Sequence, residues 1–394
     1  MRTLNCQSRE SLDRRIATGC RSSCVLSRMR TSHSHSNALR LLVCAAALAA
    51  SLTVSFAAEG KKAATAEQIE AATRLQVFLD RANFAPGKLD GHFGDFTHKA
   101  LALYRESRGE QPSANPAPPK PSEPPDVNGL DLASIDPVFI TYTVTEADLQ
   151  NVGELPDCVA AKAALKSLPY ASAAEAVAEK FHCDVDFLET LNPGRTKTLK
   201  PGDEVKVPNV EPFDVAAVKG LKPGSEINPA AANANEDDDA KPGSANASDK
   251  EEATATAPAP AISIRVDTKT NMLAVLDGDK VIAAYPVSIG SERTASPVGD
   301  WKVRGIEKLP KFRWDEKMLN EGERSSEFKM LPPGPNSPAG VMWIALNKSG
   351  IGLHGTDDPD AVGRAASHGC IRLANWDIVR LAGKVKAGTP VSIK

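Results

Sequence analysis

The C-terminal third of the chain, residues 262–394, alternates short apolar runs with turn-forming residues. Its opening stretch, ISIRVDTKTNMLAVLDGDKVIAAYPVSIG, is broken at T-K-T-N and D-G-D, a pattern typical of β-hairpins. Further strands are predicted at WKVRGIE, GVMWIALN and TPVSIK, and a helix at NWDIVRLAGKV with Asn375 as its N-cap. About 130 residues suffice for a core of their own. The pattern therefore predicts a mainly-β domain with little helix.

Two shorter segments upstream carry different patterns. In residues 64–109, the stretch EQIEAATRLQVFLDRANF has the apolar spacing of one helix face, and HKALALYRESRG forms a second helix that ends at Gly109. In residues 138–210, a strand-like FITYTV and a closing LKPGDEVKVPNV flank the helical stretches AAEAVAEKFH and VDFLETLN. These patterns predict a small all-α unit, near the lower size limit for independent folding, followed by a small α+β unit.

The remaining segments predict no packed core. Residues 110–137 are rich in proline and favour an extended spacer, whereas residues 222–261 hold almost no large apolar residue and favour a disordered linker. Residues 39–56, LRLLVCAAALAASLTVSF, follow a basic stretch and end in small residues, which is the grammar of a signal peptide. We therefore expect residues 1–57 to be a leader, with a transmembrane anchor as the alternative.

The net charge of the chain bears on whether it binds nucleic acid. The formal net charge is −3, and it becomes −9 once residues 1–57, with eight Lys and Arg and two Asp and Glu, are set aside. No basic stripe remains, which argues against a nucleic-acid partner.

Three cysteines follow the predicted leader, Cys158, Cys183 and Cys370. A bridge between Cys158 and Cys183 would close a loop of 25 residues, worth about 3 kcal/mol by loss of unfolded-chain entropy. An odd count leaves one thiol over, either reactive or paired with another chain.

The stretch SHGCIRL, residues 367–373, allows three interpretations of Cys370. A zinc site would use His354, His368 and Cys370, but the domain lacks C-x-x-C and H-E-x-x-H spacings. A structural disulfide would need a partner from another segment. A nucleophilic thiol needs a nearby imidazole, and either His354 or His368 could supply it. Glycines at 355 and 369 allow close backbone approach to an oxyanion, and Arg372 supplies a fixed positive charge for a carboxylate.

The stretch HGTDDPDAVGRAASHGCIRLANWD resembles the catalytic domain of the YkuD-type L,D-transpeptidases, and the likeness covers residues 262–394. S-P-V-G at 296–299 departs from the family, which more often has threonine first. The resemblance implies a β-sandwich-like fold, a cysteine acting on murein stem peptides, and no metal or organic cofactor. It makes Cys370 the nucleophile and His354 the base, with the His354 ring held by the carbonyl of Gly355. The remaining implied site residues are His368 and Gly369 in the catalytic set, and Arg372 and Ser367 in substrate binding.

The upstream segments carry resemblances of their own. LQVFLDRANFAPGKLDGHFGDFTHKALALY resembles the peptidoglycan-binding-like family, with D-G-x-F-G as its most specific part, and implies a three-helix wall-binding module without catalysis. EAVAEKFHCDVDFLETLNPG and LKPGDEVKVPN resemble a LysM glycan-binding module, stretched by about 25 residues between its first strand and first helix.

Together these features predict an exported, multidomain enzyme of the periplasm or cell wall. Its expected partners are peptidoglycan stem peptides and glycan strands, without a stable membrane anchor. A wall-anchored protein is an alternative acceptor. Two alternative functions stay open: an L,D-carboxypeptidase that uses the same site, and a non-catalytic wall-binding scaffold.

Overall fold

The first segment, which we call the helical segment (residues 64–110), contains two helices, α1 (Ala66–Arg81) and α2 (Asp95–Ser107). Thr65 begins α1 with a capping box: its hydroxyl accepts from Gln68 N–H, and the Gln68 side chain accepts from Thr65 N–H. Both predicted helices are confirmed.

The computed structural model describes residues 64–110, 123–220, 262–291, 294–364, 367 and 369–394. The predicted leader, much of the Pro-rich spacer, the linker 222–261 and His368 therefore lie outside the described residues.

The second, the α+β segment (residues 138–210), pairs strands β1 and β2 in antiparallel fashion, with Phe139 opposite Pro208. The extra residues between β1 and the first long helix hold two short helices, α3 and α4. In chain order the elements are β1 (Phe139–Thr143), α3 (Glu146–Leu149), α4 (Val159–Ala163), α5 (Ala173–Lys180), α6 (Val185–Leu191) and β2 (Glu204–Pro208).

The C-terminal segment (residues 262–394) forms an eight-stranded mixed sheet with the strand order β11-β10-β9-β6-β12-β3-β4-β5. The strands predicted from the apolar pattern are confirmed, and a small β7–β8 hairpin with helix α7 lies apart from the sheet. The bounds are β3 (Ile262–Asp267), β4 (Met272–Asp277), β5 (Lys280–Pro286), β6 (Gly299–Lys308), β7 (Phe312–Trp314), α7 (Glu316–Glu321), β8 (Lys329–Leu331), β9 (Met342–Leu346), β10 (Gly352–His354), β11 (Ile371–Arg372), α8 (Asn375–Ala382) and β12 (Pro390–Ile393).

The helical segment covers the exposed edge of this sheet. Ala284 on the edge strand β5 donates its N–H to Asn83 O at 2.9 Å and accepts from Ala85 N–H at 2.8 Å. A sheet edge left open is a site for unwanted pairing, and this contact closes it. The buried apolar cluster at the contact comprises Leu75, Leu79, Phe84, Ala100, Leu101, Met272, Ala274, Val281 and Ala284. The helical segment thus completes its small core against the sheet, and residues 64–394 form one compact unit.

A buried group of charges joins all three segments. Asp80 of α1 accepts two hydrogen bonds from the Arg380 guanidinium of α8, at 2.9 and 3.1 Å, and lies 3.0 Å from His182 Nδ1. Asp80 and His182 are buried, and the His182 ring stacks on Trp376. Although burial would raise the pKa of Asp80, His182 and Arg380 hold it well below its ordinary value. Asp80 is therefore ionised and fixes how the segments dock.

The structure also bears on the predicted disulfide and on the membrane-anchor alternative. No bond joins Cys158 to Cys183, so the disulfide considered between them is not formed. Among the described helices, none combines the length and the apolar character that a membrane crossing requires.

Candidate active site

His354 ends strand β10, which lies between β9 and β11. Its imidazole is buried, and Nδ1 lies 2.6 Å from the backbone carbonyl of Gly355. The cross-strand partner of His354 is Trp343 on β9, whose ring stacks on the imidazole at 5.0 Å between centroids and 14° between planes. A Cβ added at Gly352 would lie 2.7 Å from the Trp343 ring, so the indole covers Gly352 and His354 together. The hydrogen bond to Gly355 and the stacking on Trp343 together fix the plane of the imidazole.

Burial, with a further contribution from the positive charge of Arg372, lowers the pKa of His354 to about 3. The ring is therefore neutral over the range in which proteins usually work. A carbonyl oxygen only accepts hydrogen bonds, so the neutral tautomer carries its proton on Nδ1 and leaves the Nε2 lone pair available. This is the protonation state that a general base requires.

Cys370 lies one residue before β11, whose register pairs Ile371 with Leu353. The cysteine is thus level with Gly352, two residues before the histidine on the neighbouring strand. The thiol is half-buried, and Sγ donates to the carbonyl oxygen of Gly350 at 3.5 Å. Burial raises the pKa of Cys370, against the opposing effects of the Gly352 N–H and of Arg372. At neutral pH Cys370 is therefore a protonated thiol and His354 a neutral imidazole.

The turn before the cysteine is held by Ser367. Its hydroxyl donates to the Cys370 carbonyl and accepts from Gly369 N–H at 3.2 Å. Its backbone carbonyl accepts from the hydroxyl of Thr294 and the N–H of Ser291. Gly369 has φ +112°, a backbone conformation that favours glycine. Ser367 is almost fully buried, and its hydrogen bonds shape the turn. Its role in substrate binding stays a prediction.

Arg372 is the cross-strand partner of His354 in the β10–β11 pair. Its backbone exchanges hydrogen bonds with Ser288, next to the end of β5. Its positive charge acts to lower the pKa of His354, of Cys370 and of Asp357. Arg372 therefore influences the protonation of both candidate catalytic side chains. Its role towards a substrate carboxylate stays a prediction.

Asn375 supports the site from beneath, a role that sequence reasoning missed. The prediction that it caps α8 was wrong, since Ala374 is the N-cap and Asn375 is the first helical residue. Its buried side chain instead accepts from Val341 N–H at 3.1 Å and donates to Pro335 O at 3.1 Å. A Cβ at Gly355 would overlap Asn375 Oδ1. Asn375 therefore packs directly against the residue whose carbonyl holds the His354 ring.

A cysteine one residue before β11 and a neutral imidazole at the end of the adjacent strand β10 are the residue types that a thiol acyl-transfer site uses. The comparisons with known proteins agree. A family model described as the YkuD L,D-transpeptidase catalytic domain matches residues 261–393. The YqjB protein of Bacillus subtilis, an L,D-transpeptidase by name, is 32% identical over 133 residues, which cover 32% of this chain and 68% of that protein. The chain belongs to the YkuD family of L,D-transpeptidases.

Other similarities are shorter or more distant. The YkuD proteins of Bacillus licheniformis and Bacillus subtilis are 31% and 29% identical, over 31% and 32% of this chain and 58% and 62% of their own lengths. The chain therefore spans about 60% of these two relatives. The solved catalytic domain of the Enterococcus faecium L,D-transpeptidase shares 22% identity, covering 34% of this chain and 98% of that one, with a TM-score of 0.28.

Proposed function

We propose that the chain is an exported L,D-transpeptidase that acts on peptidoglycan stem peptides in the periplasm or cell wall. Family membership supports the reaction class. The observation that carries the mechanism is the neutral His354 ring, with its proton on Nδ1 and its Nε2 free to accept one. Cys370 is the only thiol of the C-terminal segment and ends the turn that its family signature occupies.

The first half-reaction acylates the thiol. Cys370 Sγ attacks the carbonyl carbon of a diaminopimelate residue as its proton passes to His354 Nε2, and the S–C bond forms. The C–N bond to the terminal D-alanine then breaks, and protonated His354 returns the proton to the leaving amine. A thioester and free D-alanine result. Because the thiol is neutral at rest, proton transfer accompanies attack.

The second half-reaction releases the acyl group. An amine of a second stem peptide gives a proton to neutral His354 and attacks the thioester, so the C–S bond breaks and the thiol recovers the proton. The backbone N–H of Cys370 stabilises the oxyanion in both halves, and Gly369 permits the close approach that this needs. Arg372 binds a stem-peptide carboxylate. The upstream segments hold glycan strands.

Digestion of purified murein with the protein, followed by product masses, tests this function. New diaminopimelate-to-diaminopimelate dimers and released D-alanine are expected. Cys370→Ser should abolish both products, whereas Cys158→Ala, which removes another half-buried thiol, should leave them unchanged. Release of D-alanine without dimers would assign trimming instead of cross-linking. Undiminished dimer formation by the Cys370→Ser variant would refute the mechanism.

A separate acylation assay reads the first half-reaction alone. A carbapenem presents a strained amide carbonyl, and its ring opens without losing a leaving group, so one equivalent should add to the protein mass at Cys370. His354→Asn should slow this addition by about 10²–10⁴-fold, the usual contribution of a general base.

A further inference from the structure

The loop that connects the base to the nucleophile, residues 355–364 in its described part, is held from two sides. On the sheet side, Ser288 Oγ donates to Ala361 O and accepts from Gly363 N–H, both at 2.9 Å. Asn271, in the β3–β4 turn, donates its side-chain N–H to Gly363 O at 3.3 Å. These contacts are all internal to the C-terminal segment.

The other side of the loop is held by the helical segment. Lys88 Nζ forms ion pairs with Asp360 of the loop and with Asp184, the N-cap of α6. The tip of the Phe96 ring of α2 lies close to the loop backbone, since a Cβ added at Gly363 would overlap Phe96 Cζ. Two side chains about 270 residues earlier in the chain thus touch the catalytic loop.

Lys88 is itself rigidly placed. Its neighbour Leu89 donates to His182 O at 2.8 Å and accepts from Asp184 N–H at 3.0 Å, so the turn that precedes α2 is paired with the α+β segment. Only 12% of the Lys88 side chain is exposed, against 66% for Asp360. A cation held in this way positions the more mobile carboxylate, and not the reverse.

We propose that Lys88 and Phe96 are positioning residues for catalysis, which hold the 355–364 loop so that the His354 imidazole and the Cys370 thiol keep their relative placement. The inference rests on the proposed function. Gly355 begins this loop, and its carbonyl oxygen accepts a hydrogen bond from His354 Nδ1–H, while the loop continues towards the cysteine turn. A displacement of about 1 Å between reacting groups can cost a hundredfold in rate. The helical segment would then be part of the catalytic unit as well as a wall-binding module.

The test measures the rate of carbapenem acylation at Cys370 in the full-length protein. Asp360→Asn, Phe96→Ala and Lys88→Met should each slow acylation by about tenfold, and Lys88→Arg should restore most of the rate because it keeps the charge. Asp184→Asn is the matched control, because it removes the other partner of Lys88 but retains the helix cap and leaves the loop contact in place. Its acylation rate should match that of the wild type.

Two further measurements separate positioning from general stability. Alkylation of Cys370 by iodoacetamide needs an accessible thiolate but no aligned His354, so at one fixed pH its rate should not fall in the variants that acylate slowly. Hydrogen exchange in residues 355–364 should become faster in the same variants and stay unchanged in Asp184→Asn. Asp360 is exposed, so the Asp360→Asn variant will fold even where Lys88→Met does not.

The outcomes distinguish the two proposals. Wild-type rates of acylation in both Asp360→Asn and Phe96→Ala overturn the positioning role. If the wild-type protein gains no carbapenem mass at Cys370, the proposed function is refuted. Unchanged hydrogen exchange of residues 355–364 in the variants would then overturn the positioning role of Lys88 and Phe96 as well.

Discussion

Replacement of Asp80 by asparagine tests the charged junction of the three segments. The substitution keeps the size of the side chain and one acceptor oxygen but removes the negative charge. Arg380, whose side chain is only 17% exposed, then loses the carboxylate at 2.9 and 3.1 Å and keeps only Asp377, at 3.9 Å. His182 loses the partner of its Nδ1 as well.

The expected cost is about 3–5 kcal/mol in the free energy of unfolding, the usual result of removing one partner from a buried ion pair. Glu106→Gln is the matched control. It breaks an ion pair with Arg265 that also joins the helical segment to the sheet, but its side chains are 45% and 41% exposed. Exposed pairs contribute about 0.2–1 kcal/mol, so the two variants should differ several-fold.

Urea unfolding, followed by tryptophan fluorescence and by circular dichroism, measures both values. The double variant Asp80→Asn with Arg380→Gln should be less destabilised than the sum of its single variants, with a coupling of about 0.5–3 kcal/mol, because no charge is left unpaired. A loss below about 1 kcal/mol in Asp80→Asn, equal to that of the surface control, would show that burial does not set the strength of this junction.

The acid side of the stability curve provides an independent check. The folded-state pKa of Asp80 lies below its ordinary value of about 3.9, so its contribution is fully present above that pH and is lost as the pH falls further. Asp80→Asn should therefore flatten the fall in stability below about pH 4. An unchanged acid limb would contradict the assignment of an ionised Asp80.

Three further predictions concern the site and its support. Gly355→Ala should cost about 1–3 kcal/mol, because its Cβ overlaps Asn375, whereas Gly383→Ala, whose Cβ would meet its nearest atom at 3.5 Å, should change unfolding by less than about 0.5 kcal/mol. Alkylation of Cys370 by iodoacetamide, followed by peptide mass, should still rise with pH above about 8.5, since its pKa is raised; a plateau by neutral pH would instead reveal a preformed thiolate. Burial raises the pKa of Glu179 to about 8, so the folded chain retains a proton that the unfolded chain releases above about 4.3. Stability should fall as pH rises through that window, and Glu179→Gln should remove the slope in urea unfolding; an equal slope in both proteins would contradict it.

The strands of the C-terminal segment and its candidate site residues could be predicted from the sequence. Alternation of apolar residues and turn signals located its strands, since a strand exposes its two faces with a period of two. Residue types alone left three interpretations of Cys370 open, and the family resemblance of the stretch 354–377 indicated the reaction class. The signals were local, and local physics sufficed to find them.

Other features were invisible in the sequence because they depend on contacts between distant residues. Asn375 has the composition of a helix cap, and only the packing of Gly355 above it draws its side chain inward. Proline-rich and polar linkers indicated separate domains, yet the helical segment docks on β5 because its own core is too small to stand alone.

The sequence by itself determined which elements form and which residues are candidates for the chemistry, because hydrophobic period and residue type are properties of short stretches. Tertiary structure alone decided that Asp80, His182 and Arg380 meet, and that Lys88 and Phe96 reach the catalytic loop. It also decided the protonation of the site, since the low pKa of His354 and the high pKa of Cys370 come from burial. Burial is a property of the whole packed chain, and no local pattern encodes it.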